Sequence, residues 1–351
     1  MRAMILSAGY GTRLWPLTAD RTKPALPILG KPLVGYVAEY LARFGCREIV
    51  VNLHHRPESV RTALGNGSDF GVALTYVEEP TILGTSGALD NARQLLDSET
   101  FVVVNGKIIT DLDLNAALET HRKTNALATL VLLPNVGRER FSVVECADGL
   151  VKGFGGMPGE SAGGRSSDRS RRQEQEAGDL DPQQDARGPE KNAPLMFTGI
   201  QILEPRVFDY IPRGVFSHST TDVYPQAIAN GERIAAHVAE GKWYELSTIP
   251  RYLEISLRLL AETGANVYTG NGPNIASGAQ VKDTIIWDDV AIEAGAQVSR
   301  AILADGVRIS HGEVIENAAV VRASLVRCAT PPDKALKGEF RGENFVVPLA
   351  Q

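Results

Sequence analysis

The sequence predicts a mostly parallel α/β sheet followed by a short left-handed parallel β-helix, and three observations carry that expectation. From Arg2 to about Leu133, short β-rich runs alternate with amphipathic helical patterns, which is how βαβ units around a parallel sheet read in sequence. After about Gly264 the apolar period changes to six. The 351 residues, 43% hydrophobic, suffice for one large core and a smaller second domain.

The elements follow in order. The first strand starts almost at Met1. The clearest helix has Pro32 at its first position, carries Leu33, Val37, Tyr40, Leu41 and Phe44 on one face, and stops at Gly45. Runs at 48–52, 73–77, 101–105 and 128–133 read as further strands. Ligands of open α/β sheets gather beyond the carboxyl ends of the strands, so the loops after Leu6, Val77 and Val104 are where chemistry is expected. Residues 161–193 almost lack large apolar side chains, and such a composition does not offset the entropy of ordering; a disordered, solvated insertion is expected there. Helical patterns return near 222–230 and 249–260.

In the six-residue repeat, aliphatics fall in three registers: Ile275 and Val281; Ile286, Ile292 and Val298; then Leu303, Ile309, Ile315 and Val321. Gly278, Gly295, Gly306 and Gly312 sit between them. One inward aliphatic per face with small corner residues suits a triangular coil, and a β-hairpin meander is the competing reading. The expected division is 1–263, with its insertion, then a β-helix over 264–327 and a tail over 328–351. Such stacks associate side by side, so a homo-oligomer is expected.

The net charge of −6 argues against a phosphate-backbone binder, so no nucleic-acid partner is expected. Cys46, Cys146 and Cys328 are odd in number and widely spaced, which supports neither a disulfide framework nor a zinc site. There is no leader pattern and no apolar run of the roughly 20 residues a bilayer span needs, so a cytoplasmic location with no membrane partner is expected.

Chemistry concentrates in the stretch L-S-A-G-Y-G-T-R-L-W-P-L-T at 6–18 and R-T-K-P at 21–24. Gly9 and Gly11 allow the backbone to approach a polyphosphate, while Arg13 and Lys23 supply charge. The spacing is neither the GxGxxG of a dinucleotide site nor the GxxxxGK[ST] of a P-loop. Taken singly, the glycines would be tight turns and the cations solvated surface groups.

These motifs, with E-E-P-T-I-L-G-T-S-G-A-L at 78–89, V-V-N-G at 103–106, M-F-T-G-I at 196–200 and G-K-W-Y-E-L-S-T at 241–248, resemble the sugar-1-phosphate nucleotidyltransferase family. The likeness runs in order along nearly the whole chain and leans to the mannose-1-phosphate guanylyltransferase-like branch. It implies a Rossmann-like domain with a hexapeptide-repeat companion. The implied substrates are a nucleoside triphosphate and a sugar 1-phosphate, with Mg²⁺ as cofactor. Ala8, Gly9, Gly11, Thr12 and Arg13 would hold the triphosphate, with Arg13 and Lys23 as the catalytic cations. Glu79, Gly84, Thr85 and Gly87 would lie at the base, and Asn105, Gly106, Thr198 and Gly199 at the sugar phosphate.

Four positions depart from the family pattern. Lys107 stands where relatives have a metal-binding aspartate, and Glu245 stands for the second aspartate, leaving Glu245 and Asp111 as the metal candidates. Gly156-Met157-Pro158 replaces Glu-Lys-Pro, and Ser142 replaces a glycine. Three readings fit. Lys107 neutralises phosphate charge in place of a metal; the chain binds nucleotide sugar without turning it over; or Lys107 is a late substitution in a working enzyme. A salt bridge from Lys107 to Asp111 or Glu245, locking the pocket, is the plain structural alternative. Trp15, Trp243 and Trp287 are expected to pack in cores.

Overall fold

A computed structural model describes residues 1–155 and 193–349 of the chain. All but the last residue of the insertion expected over 161–193, and the Gly156-Met157-Pro158 position, lie outside the described residues.

Nine strands form the main sheet: β1 (Ala3–Leu6), β2 (Glu48–Leu53), β3 (Ala73–Glu78), β4 (Phe101–Asn105), β5 (Ala128–Pro134), β6 (Val144–Ala147), β7 (Leu150–Phe154), β8 (Leu195–Leu203) and β9 (Ile234–Val238). Their spatial order is β3-β2-β1-β4-β8-β5-β9-β7-β6. The first four pair in parallel, while β8 opposes β4 and β5, and β7 opposes β9 and β6. With β9 parallel to β5, only β8 and β7 run against the rest. Central strands are covered on both faces, which explains why β1 and β4 read as unbroken apolar runs: Ala3, Met4, Ile5 and Phe101 to Val104 are all buried.

The helix Leu33–Arg43 buries Val34, Val37, Ala38 and Leu41 against Ile5, Ile49, Val51 and Val104. Pro32 is its N-cap and Leu33 its first residue, so the helix starts one position later than expected. Because β1 is flanked by β2 on one side and β4 on the other, the chain leaves β1 and β4 towards opposite edges of the sheet, the switch point at which open α/β sheets form their ligand crevice.

From Val267 onward the chain coils. Every parallel pair is offset by 17 residues, for instance Val267 with Thr284, Ala291 with Arg308 and Leu303 with Val320. The six-residue registers therefore break once per turn: Val281 to Ile286 and Val298 to Leu303 are steps of five, and two sixes plus a five close the coil. Ile286, Ile292, Val298, Leu303, Ile309 and Ile315 fill its interior. The same step of five corrects one expectation, since Val320 is the interior residue and Val321 packs on the opposite side of its strand. Ile275, on the first turn, stays 38% exposed because no turn covers it from outside. Residues after 327 add more than a tail: the strand Asn344–Pro348 pairs antiparallel with Val314–Arg322 and buries Phe345, Val346 and Val347.

The coil and the α/β sheet share a core. Leu14, Trp15, Leu26 and Ile28 meet Ile249, Tyr252 and Leu253 of the helix Ile249–Ala261, and these meet Ile285, Trp287 and Ile302 of the coil. Thr248 caps that helix, its hydroxyl accepting from the Arg251 backbone N–H, with a proline in the first turn.

Candidate active site

The loop after β1 is held from below and from the side. Asn52, at the end of β2, accepts a hydrogen bond from the Ser7 backbone N–H at 2.7 Å. Gly11 adopts φ +68°, and a Cβ there would lie 2.9 Å from the Cβ of Lys23, so glycine lets the loop lie directly on the lysine. Arg13 follows on the short turn Thr12–Leu14, and Lys23 opens the turn Lys23–Ala25. The Nη1 of Arg13 is buried and has no hydrogen-bond partner among the described residues. Burial, then the charge of Lys107, press the Lys23 ammonium down to about 7; Glu245 pulls it the other way and Arg13 adds to the fall.

The second wall is a two-stranded ribbon of Ile108–Thr110 and Trp243–Glu245, in which Glu245 lies opposite Ile108. Lys107 and Glu245 form an ion pair at 3.0 Å, and the Glu245 side chain is 12% exposed. Burial alone would raise the Glu245 carboxyl, but Lys107, Lys23 and Arg13 together outweigh it and hold it below the usual range. One carboxylate thus faces three cations. The surplus is positive and Arg13 is short of a partner, so the cluster is complementary to a polyanion.

Asp111 is not brought to Glu245. It lies three residues beyond Ile108, roughly 10 Å along the ribbon at about 3.4 Å per residue. There it accepts from the backbone N–H of Lys242 at 2.6 Å and lines a separate cavity of about 570 Å³ with Lys31, Glu39 and Tyr244. Of the two partners expected for Lys107, Glu245 is the one it meets. Among the described residues no three His, Cys, Asp or Glu side chains gather to hold a metal.

The remaining candidates separate into two groups. Asn105 and Gly199 touch: Gly199 has φ +82°, at an irregularity in β8, and a Cβ there would fall 2.3 Å from the Asn105 amide nitrogen. Gly106 lies against Ser7, whose Oγ a Cβ would meet at 2.5 Å, so the loops after β1 and β4 are in contact. Thr198 is turned inward, its hydroxyl donating to the Val131 carbonyl at 2.7 Å. Glu79 is buried: one oxygen accepts from Asn52 at 2.6 Å and the other from the Leu83 N–H at 3.0 Å, which fixes the turn before the next motif. Gly84 and Gly87 begin the helix Gly84–Asn91 under a strap at 215–219; Cβ atoms on them would meet Ser217 O at 2.4 Å and Val215 O at 2.6 Å. Thr85 Oγ accepts from the Ser219 N–H at 2.9 Å. In the first loop Gly9 and Thr12 are exposed and Ala8 is half-buried, and Ser142 is exposed.

Sequence reasoning passed over the residues that hold this site in place. Arg21, two residues before Lys23, pairs with Asp20 and with Asp305 of the coil and lies over the Trp287 ring at 5.1 Å. Tyr252 accepts from the Trp287 indole N–H at 2.9 Å and donates to the carbonyl of Pro27. Lys23 is therefore bracketed on both sides by contacts that lead to the coil. Arg251 donates to the backbone carbonyl of Glu245 and pairs with Glu139, both at 3.0 Å. Trp243 is core as expected, its indole donating to the Thr198 carbonyl at 3.0 Å.

The nucleotidyl transferase family model matches residues 2–262 of this chain, and a model described as GlmU-like, C-terminal hexapeptide matches residues 265–327. The chain belongs to the nucleotidyl transferase family. Among curated relatives of this chain, the UTP–glucose-1-phosphate uridylyltransferase of Synechocystis sp. is 30% identical over 310 residues, covering 84% of this chain and 72% of that one. The mannose-1-phosphate guanylyltransferase of Mycobacterium tuberculosis is 27% identical, covering 83% of this chain and 81% of that one. Among solved structures, HddC from Yersinia pseudotuberculosis shares the fold, with a TM-score of 0.57 and 20% identity over 74% of this chain and 99% of that one. Among the described residues no helix is long and apolar enough to cross a membrane.

Proposed function

We propose that this nucleotidyl transferase joins a nucleoside triphosphate to a sugar 1-phosphate, releasing pyrophosphate, with Arg13, Lys23 and Lys107 as its phosphate-neutralising groups. The observation that carries the reading is the buried Arg13 Nη1 without a partner beside a lysine pressed down to about 7, both in the segment after β1 and next to the Lys107–Glu245 pair. A phosphate oxygen of the sugar phosphate attacks the α-phosphorus in line. A new P–O bond forms as the bond to the bridging oxygen breaks, and pyrophosphate leaves with the electron pair. This transfer needs positioning and charge neutralisation rather than a nucleophilic side chain.

The donor set does not fit the Mg²⁺ that the resemblance implies. The carboxylate of Glu245 is already matched by Lys107, with two more cations at hand, and Asp111 lies at the other end of the ribbon. In this reading the Lys107 ammonium takes the place of the ion, and no step passes through a metal. The base and sugar are assigned only by class: the relatives' names divide between uridylyl and guanylyl transfer, and the motif at 78–89 leans to the guanylyl branch. The coil is proposed to be left-handed and to associate with a second copy, the sheet domain to run over 1–263, and the protein to be cytoplasmic.

A second reading, nucleotide-sugar binding without turnover, is favoured by the same Lys107–Glu245 pair, which would also lock a site. Pyrophosphate release, measured with each nucleoside triphosphate, a panel of sugar 1-phosphates, and Mg²⁺ present or chelated, separates the two. Release requiring one defined pair and surviving chelation establishes the proposal. Tight nucleotide-sugar binding with no release from any pair establishes the second.

A further inference from the structure

The coil carries a basic cleft that the transferase reading does not use. It encloses about 450 Å³ where Gly306, Arg308, Arg322, Arg327, Glu343 and Asn344 meet. Arg322 lies along Gly306: a Cβ on that glycine would meet its Cδ at 3.1 Å and its Nε at 3.3 Å, so the glycine makes room for the guanidinium.

Among the described residues none of the three arginines has an ion-pair partner, although the chain holds 42 carboxylate residues. Arg327 instead lies over the Phe340 ring at 5.4 Å. Asn344 is 3% exposed, and its amide is oriented by the bond from its Nδ2 to the Arg308 carbonyl at 2.7 Å. Its Oδ1 is buried and has no partner, so a hydrogen-bond donor is missing beside the arginines.

Three guanidinium forks without ion-pair partners, against the single carboxylate of Glu343, leave the concavity positive and match phosphate oxygens in geometry and charge. A phosphate dianion or a phosphomonoester of a polyol also brings the O–H donor that an amide oxygen lacks here. We propose that this cleft binds a small phosphate-bearing anion, held by Arg308, Arg322 and Arg327 with Asn344 as the acceptor for its hydroxyl. The proposal stands apart from the transferase reading, since it uses no residue of the crevice between β1 and β4.

The test is titration calorimetry of the full chain carrying Lys23→Gln, which weakens the other anion site, at constant ionic strength set with chloride. The probes are inorganic phosphate and glucose 1-phosphate. One saturable site is expected, weakened at least about tenfold by Arg308→Gln or Arg322→Gln and less by Arg322→Lys, because a charge-assisted, forked contact is lost or reduced. Both arginines are exposed, so melting temperatures of the variants should match the parent and exclude a folding defect. Tighter binding of inorganic phosphate identifies the free anion, and tighter binding of the ester identifies a phosphomonoester. No saturable binding of either probe, or binding that the arginine variants leave unchanged, overturns the proposal.

Discussion

A triphosphate arriving between Arg13 and Lys23 changes the protonation of the site as well as its charge. Lys23 sits near 7 in the free protein and is raised by any anion placed beside it, so above pH 7 binding must take up a proton, and affinity falls as pH rises. Calorimetry at pH 8 in buffers of different ionisation enthalpy should show uptake approaching one proton, with almost none at pH 6; identical heats in all buffers at pH 8 would exclude Lys23 as the proton acceptor. Lys107 is tested through the same signal. Lys107→Met should lower turnover by about a hundredfold or more, as for other lost charge-stabilising groups. It should also move the onset of proton uptake to higher pH, because Lys107 is one of the charges that depress Lys23. Lys107→Asp should leave a site that responds to Mg²⁺. The cations themselves were legible from sequence, since Arg13 and Lys23 stand in the loops that a parallel sheet presents. The contact partners were not. That Glu79 is buried against Asn52, and that Asp111 faces away from Glu245, depend on register and on which side of a ribbon a residue occupies.

At the scale of elements, the glycines of the 84–87 motif are explained by packing. Gly84 combines φ +76° with a strap carbonyl where its Cβ would be, so Gly84→Ala should destabilise the chain by roughly 2–4 kcal/mol. A thermal melt reads this directly, and an unchanged midpoint would mean the strap yields. The docking of the coil on the Lys23 turn makes a different prediction. Asp305→Ala removes the coil's carboxylate from Arg21, and turnover should fall several-fold with Lys23 itself intact. Arg21→Lys should not restore it, since lysine lacks the fork that spans Asp20 and Asp305. The strands at 48–53, 73–78, 101–105 and 128–134 were readable because short apolar runs between turn signals leave few alternatives. The reversed insertion of β8 between β4 and β5 was not, because partner choice is a non-local decision that a strand's own composition does not encode.

For the molecule as a whole, the shared core makes the coil part of the fold. Ending the chain after residue 263 would uncover Trp15, which packs on Phe345, and the face of the helix Ile249–Ala261 where Tyr252 meets Trp287. Such a truncated chain should be insoluble or bind an apolar dye, and a soluble, cooperative melt from it would show the domains to be separable. The repeat was legible in the sequence, but its true turn length was not: a run of sixes hides the single five that closes each circuit. That five has a bearing on how the chain can vary. Asp288 donates its N–H to Asp305, 17 residues on, and Trp287 and Asp305 reach Arg21 from adjacent turns, so the docking face works as a ruler graduated in circuits. Adding one residue between them would swing every later side chain around the axis and lift Asp305 off its mark. Adding 17 at the outer end, before Val267, would lengthen the column by one turn and leave the spacing of Trp287 and Asp305 unchanged, so the docking face tolerates a change of coil height only in whole turns.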